Sequence, residues 1–206
     1  LFDRRCNSLV KKIKINDFGI IAEFKRRSPS KRDINSSLSV TKVAKEYEDA
    51  GVSGMSVLTD GKYFSGSLED LILSRSIISL PLLRKDFVID EYQIIEAKAN
   101  GADVILLIAA ILSRNEIKNF SSLANNLGLE VLLEVHNLEE IEKSIMPTID
   151  LFGVNNRNLK TFEVSLETSR SLAEKIPDQF LKVSESGISD PNSIEELIEF
   201  GYKGFL

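Results

Sequence analysis

The chain has 206 residues, a formal charge of −5, 43% hydrophobic residues and 28% charged residues, the balance of an ordinary cored globular protein. An acidic pI of about 5.1 excludes a global basic footprint for nucleic acid and leaves only the local patch KRRSPSKR. No run approaches the ~20 apolar residues of a membrane-spanning helix, LFDRRCNSLVKKIK does not read as a secretory leader, and the single cysteine, Cys6, excludes an internal disulfide and suits a reducing cytoplasm.

Short runs rich in Ile, Val and Leu predict strands at 20–24, 54–58, 82–85, 104–108, 130–134, 151–155, 181–185 and 204–206. Their spacing is roughly 26 residues, the length of a strand plus a helix. Runs such as DVILLI are apolar throughout, which points to strands buried on both faces of a parallel sheet. Helix punctuation lies between them. Ser113 with Glu116, and Asn137 with Glu140, have capping-box spacing. Asp190-Pro191 pairs a cap residue with a proline at the first helical position, and Gly51, Gly101, Gly128 and Gly201 stand where left-handed C-caps are expected.

Eight strands alternating with seven helices leave a doubly wound sheet or a closed (β/α)₈ TIM barrel, and the number and evenness of the units favour the barrel. The chain begins without Met and stops at Gly204-Phe205-Leu206 inside the eighth predicted strand. A barrel spanning 1–206, truncated at strand eight and lacking its last loop and helix and most of an N-terminal extension, is therefore expected. The N-terminus around Cys6 reads as mobile.

Barrel enzymes build their sites at the C-terminal ends of the strands. There this sequence delivers Glu23 and Lys25 from strand one, Lys85 with Phe87 from strand three, Glu134 and His136 from strand five, Asn155 and Arg157 from strand six, and Glu185-Ser186-Gly187 from strand seven. Residues two apart share a face. A single charge there normally marks a strand's exit into a solvated loop. Five strands ending in carboxylates, lysines, an amide and an arginine instead suggest an acid–base site for an anionic substrate. Pairing and repulsion among them are expected to tune a lysine towards proton transfer near neutrality. The Ser186 and Gly187 backbone N–H groups stand where barrels commonly seat a phosphate.

The segments IAEFKRRSPSK, VLTDGKYFSGS, PLLRKDFVIDEYQIIEAKANGADVILLI, LLEVHN, GVNNRNLKTFEV and VSESGI, in this order, make the chain resemble indole-3-glycerol-phosphate synthase over nearly its whole length. The resemblance implies a TIM barrel without metal or cofactor that turns 1-(2-carboxyphenylamino)-1-deoxyribulose 5-phosphate into indole-3-glycerol phosphate, releasing carbon dioxide and water. It implies Lys85 as general acid of ring closure and Glu134 as base in dehydration. Lys25 would contact the substrate carboxylate and share in acid catalysis, while Glu23, Asn155 and Glu185 hold the lysines and stabilise cationic intermediates. Ser28 and Arg157 would bind the anionic substrate, Phe87, Leu106 and Leu159 would wall the anthranilate ring, and Ser186 and Gly187 would donate to phosphate. The basic stretch then becomes a substrate loop, with no nucleic-acid or membrane partner. The resemblance places the enzyme in the cytoplasm and leaves room for association with other tryptophan-pathway enzymes.

Other residues read more plainly. His136, the only histidine, is expected at the rim or in packing, Asp60 and Asp86 in loops or caps, and Tyr92 and Phe64 in packing. Asn156 and Asn158 are given little weight. One histidine and one cysteine rule out a zinc site built from those ligands. The neighbouring pathway isomerase would call for a Cys/Asp pair at strand ends, which is missing. A non-catalytic phosphate-binding barrel fragment has no physical reason to keep so costly a set of charges.

Overall fold

In the computed structural model, which describes residues 1–34 and 37–206, eight parallel strands close a barrel in chain order. They are β1 (Gly19–Phe24), β2 (Gly54–Leu58), β3 (Leu82–Lys85), β4 (Val104–Ile108), β5 (Glu130–Val135), β6 (Leu151–Asn155), β7 (Leu181–Glu185) and β8 (Tyr202–Phe205). Closure comes from β8 pairing β1 through Gly19 opposite Gly204 and Ile20 opposite Phe205. The last strand starts two residues before its predicted position, because Tyr202 is buried and pairs with Lys182 ahead of a register shift.

The period of two sorts the strand residues into two cores. Ile21, Leu83, Val104, Leu106, Leu132, Leu151, Leu181 and Val183 point inward and pack together inside the barrel. Their neighbours Met55, Val57, Leu82, Ile105, Leu107, Val131, Leu133, Phe152 and Val154 point outward into the shell of helices. The helices between strands are α2 (Val40–Asp49), α4 (Leu68–Ile77), α5 (Glu91–Ala99), α6 (Arg114–Asn126), α7 (Leu138–Ser144), α8 (Glu167–Leu172) and α9 (Pro191–Glu199). Two further helices, α1 (Leu9–Lys14) and α3 (Gly61–Phe64), escape the sequence pattern because each is too short to show a period.

Most of the punctuation holds. Ser113 and Glu116 form a full capping box, Asp190 caps α9 ahead of Pro191, and the four predicted C-cap glycines all have positive φ. Asn137 does cap α7 by accepting from the Glu140 N–H at 2.9 Å. The reciprocal bond differs from the expectation, because the Glu140 carboxylate takes the backbone N–H of His136 at 2.8 Å.

Around Cys6 the N-terminal segment is tied to the barrel by hydrogen bonds, where the sequence reads as mobile. The fully buried Asp103 carboxylate accepts from the Arg4 guanidinium at 2.6 Å, the Asn7 N–H at 2.7 Å, the Arg75 guanidinium at 2.9 Å and the Leu82 N–H at 2.8 Å. The Glu130 carboxylate accepts from the Ser8 hydroxyl and from the N–H groups of Leu9 and Val10. These two carboxylates seat α1 across the N-terminal end of the barrel, where Leu9 and Ile13 enter the inner core. Room for them comes from glycines. A Cβ on Gly54 would lie 2.7 Å from Leu9 Cδ1, and one on Gly19 2.7 Å from Ile13 Cγ1.

Replacing Leu9 with Ala removes the plug at the end of the barrel away from the strand exits. Denaturant unfolding is expected to show a loss of about 2–5 kcal/mol, with the near-ultraviolet spectrum of the folded state retained; a loss under about 1 kcal/mol would contradict the role given to α1.

Candidate active site

The inward-facing period that fills the barrel with Leu, Ile and Val ends at its C-terminal face in polar residues: Glu23, Lys85, Glu134, Asn155 and Glu185. Above them opens a cavity of about 380 Å³, within the range of small-molecule sites.

At its base lies an ion cluster. Lys85 Nζ stands 3.1 Å from Glu185 Oε2 and 3.5 Å from Glu23 Oε2, while Lys25 Nζ donates to Glu23 Oε1 at 2.5 Å. Ser56 Oγ also donates to Glu23 at 3.3 Å. Lys85 is held inward because its neighbour Arg84 is anchored outward, by Asp86, Glu96 and the Gln93 carbonyl. Glu185 is 1% exposed, and its Oε1 has no hydrogen-bond partner among the described residues. That oxygen fits only because residue 153 is glycine, where a Cβ would stand 1.9 Å from it.

Burial by itself would lower the proton affinity of Lys85, but the surrounding charges of Glu185, Glu23 and Glu134 overcome it and hold the ammonium well above the usual lysine range. This corrects the expectation of a lysine tuned towards neutrality, because three carboxylates converge on it. The group brought near neutrality is Glu185, pushed up to about 7 by burial, with Glu134 and Glu23 adding to the rise and Lys85 opposing it. Burial likewise pushes Glu23 and Glu134 up, yet both end below the ordinary carboxylate range. For Glu23 the two lysines prevail; for Glu134 it is His136, Lys85 and Asn155.

The cavity brings together Lys25, Ser28, Phe87, Leu106, Arg157, Leu159 and Ser186 with Glu23, Lys85, Glu134 and Asn155, while Glu185 lies beneath them outside the lining. The Arg157 guanidinium donates to the Phe162 carbonyl at 3.1 Å, and the Asn155 side-chain oxygen accepts the Arg157 N–H at 2.9 Å. Gly187 is not among the lining residues. A Cβ there would stand 2.4 Å from Val164 Cγ1, so this glycine admits the loop after β6. The Ser186 N–H is not available to an anion either, since it donates to the Leu206 carbonyl at 3.0 Å.

Several wall residues went unread in the sequence. Helix α3, capped by Asp60, swings Tyr63 and Phe64 against Phe87 with ring centroids 6.2 and 6.4 Å apart, so Phe64 packs and lines the cavity at once. Ile108, Ile111 and Phe162 complete the apolar wall. Asp86 takes a loop role, accepting from Thr59 Oγ1 at 2.5 Å and from the Phe87 N–H at 2.9 Å. Tyr92 does not pack: it is 67% exposed, on the solvent side of α5. Asn156 is buried, donating to Ser184 Oγ and the Ser186 carbonyl and accepting from Ser169, which fastens β6, β7 and α8 together. The basic stretch is tied down as well: the Arg26 guanidinium forks onto Asp70 and Arg27 donates to the Lys62 carbonyl at 2.5 Å.

Among solved structures, the chain is similar to the N-acetylmannosamine-6-phosphate 2-epimerase from Clostridium perfringens, with a TM-score of 0.67 over 98% of this chain and 90% of that one. At 12% identity this likeness speaks to the fold alone. Sequence relatives are far nearer. The indole-3-glycerol phosphate synthase of Bacteroides thetaiotaomicron is 47% identical over 97% of this chain and 76% of its own. That of Koribacter versatilis is 46% identical over 91% and 72%, and that of Bacillus cereus 45% identical over 98% and 80%. A family model described as indole-3-glycerol phosphate synthase matches residues 3–206. With this match running through every strand that feeds the charged cavity, the chain belongs to the indole-3-glycerol phosphate synthase family.

Proposed function

We infer that the cavity carries out the family's carboxy-lyase reaction, closing an indole ring on 1-(2-carboxyphenylamino)-1-deoxyribulose 5-phosphate. The observation that carries the assignment of roles is the Lys85 ammonium fixed between Glu185 and Glu23 beneath an apolar-walled cavity that Glu134 also lines.

The ring carbon bearing the carboxylate attacks the ketone carbon. A new carbon–carbon bond forms, the carbonyl oxygen takes a proton from Lys85, and positive charge settles on the ring nitrogen. The carbon–carboxylate bond then breaks, its electron pair neutralises that cation, and carbon dioxide leaves. In the last step the hydroxyl departs as water after accepting a second proton, and Glu134 removes a proton from the adjacent methylene to complete the aromatic ring. Two protons enter and one leaves, so one is drawn from solvent per turnover. The high proton affinity of Lys85 keeps it in the acid form before substrate arrives. The cation growing beside it during ring closure repels the ammonium and favours proton release at the moment the oxygen can accept.

The remaining assignments follow from position. Lys25, at the more open end of the ion cluster, faces the substrate carboxylate and shares in the second protonation. Glu23, Glu185 and Asn155 hold the charged groups in place and offset cationic charge. Phe87, Leu106 and Leu159 flank the anthranilate ring, and Ser28 and Arg157 meet anionic groups. At the phosphate end the Ser186 hydroxyl serves as donor, in place of the engaged Ser186 N–H and of Gly187, which packs against Val164 outside the lining. A cytoplasmic location accords with the single free thiol.

Lys85→Ala is expected to lower kcat by about 10²–10⁴-fold while the far-ultraviolet spectrum stays native. Appearance of indole fluorescence, easily read because the chain has no tryptophan, measures it, and near-parental turnover would overturn the role. Ser186→Ala is expected to raise KM for the phosphorylated substrate by about tenfold, the worth of one hydrogen bond to a charged group, with kcat nearly unchanged. An unchanged KM would remove Ser186 from the phosphate end.

A further inference from the structure

One charged side chain touching the site has been given no part in the reaction. His136 stands behind Glu134, outside the lining of the cavity, with its ring wedged between two carboxylates: Nε2 lies 3.3 Å from Glu134 Oε1 and Nδ1 lies 3.2 Å from Glu140 Oε2. The arrangement is built from both sides. Glu140 is fixed at the start of α7 by donors from the His136 N–H at 2.8 Å and from Asn137 Nδ2 at 2.8 Å. His136 Nε2 is sealed from solvent and no hydrogen bond of good geometry among the described residues claims it, so its contact with Glu134 is one of charge.

We propose that His136 is a positioning residue for the reaction, an imidazolium that Glu140 orients and that keeps Glu134 ionised and tethered by one oxygen, leaving the carboxylate ready to take a proton from substrate. The inference rests on Glu134 being the base of dehydration.

The charge balance around Glu134 gives the reason. From β3, Lys85 is favourable but is shared with Glu185 and Glu23. From β7, Glu185 is a like charge that acts against ionisation of its neighbour. From β6, Asn155 contributes an amide. The turn 109–111, packed between β5 and α7, carries only Ala and Ile and adds no charge. Glu134 is buried, and a buried carboxylate without a cation of its own takes up a proton. His136 supplies that cation. Burial works against its charge, but Glu134 and Glu140 outweigh the burial and hold the imidazolium up to about 9, so it stays charged through neutral pH. His136 exchanges no proton during the cycle.

The sign of the effect follows. Loss of the positive charge at 136 raises the proton affinity of Glu134, so the acid limb of kcat moves to higher pH. His136→Gln is expected to cut kcat by about tenfold at a pH on that limb, corresponding to a shift of about one unit, and to recover parental kcat above it, with KM unchanged. His136→Lys, which restores the charge, is expected to return the limb towards its parental position. A merely structural role would lower kcat at every pH and would not be rescued by charge. An unmoved limb in His136→Gln overturns the proposal.

Because the chain has one histidine, its imidazole proton resonance gives a second test in the unaltered protein. A midpoint near 9 in place of about 6.5 is expected, falling in Glu134→Gln; an ordinary midpoint overturns the proposal even if the variants at 136 do not fold. Glu134→Gln also separates the two assignments. If it leaves turnover intact, Glu134 is not the base and that reading fails. If it abolishes turnover while His136→Gln leaves the limb in place, only the role of His136 fails.

Discussion

The ion cluster at the C-terminal face of this barrel is arranged around one partly buried ammonium. Lys85 reaches inward from β3 to Glu185 and Glu23. Removing ions of this size from water costs several kcal/mol each, and their mutual attraction repays the cost only when geometry is good and the remaining polar atoms are satisfied. Here satisfaction is incomplete. Glu185 keeps one buried oxygen without a partner among the described residues, and burial, with the neighbouring carboxylates adding to it, drives it towards protonation near neutral pH. A cluster of this kind costs the fold stability; on the proposed reading it holds a proton donor, a carboxylate base and cation-stabilising oxygens in fixed relation before substrate binds.

The stability that tolerates this cluster comes from elsewhere in the same barrel. Below the ionic residues, the inner Leu, Ile and Val side chains pack together, and α1 seals the far end with Leu9 and Ile13. The carboxylates of Asp103 and Glu130 belong to that end and are well supplied with donors. Acidic residues thus do opposite work at the two ends. At the N-terminal end they are saturated with hydrogen bonds and fasten the chain; at the C-terminal end Glu185 has an oxygen that nothing among the described residues claims, and burial pushes it towards neutrality.

The period of two explains why so much of the site could be read beforehand. Once the strand exits are located, Glu23, Lys85, Glu134, Asn155 and Glu185 follow, because an inward residue at the last turn of the pleat must face the axis. What escaped depends on distances that no local pattern carries. Tyr63 and Phe64 join the wall because a four-residue helix turns them towards Phe87, and Phe162 because it adopts a left-handed φ of 61° in the loop after β6. The direction of the Lys85 shift is not legible in the sequence, because residue types do not say how many carboxylates converge on one ammonium. The partnership of His136 with Glu140 is not legible in the cap spacing, because the Glu140 carboxylate turns to His136 where a capping box would turn it to the Asn137 N–H.

The central claim, that Lys85 is an ammonium locked by the surrounding carboxylates, is tested most directly by nuclear magnetic resonance of its side chain across a pH titration. Selective labelling and a Lys85→Met variant would assign the signal. The account requires Lys85 to remain charged beyond the ordinary lysine value of 10.5, after exposed lysines have titrated. Titration of Lys85 near neutrality would contradict it and would make the cluster a tuned base rather than a held acid.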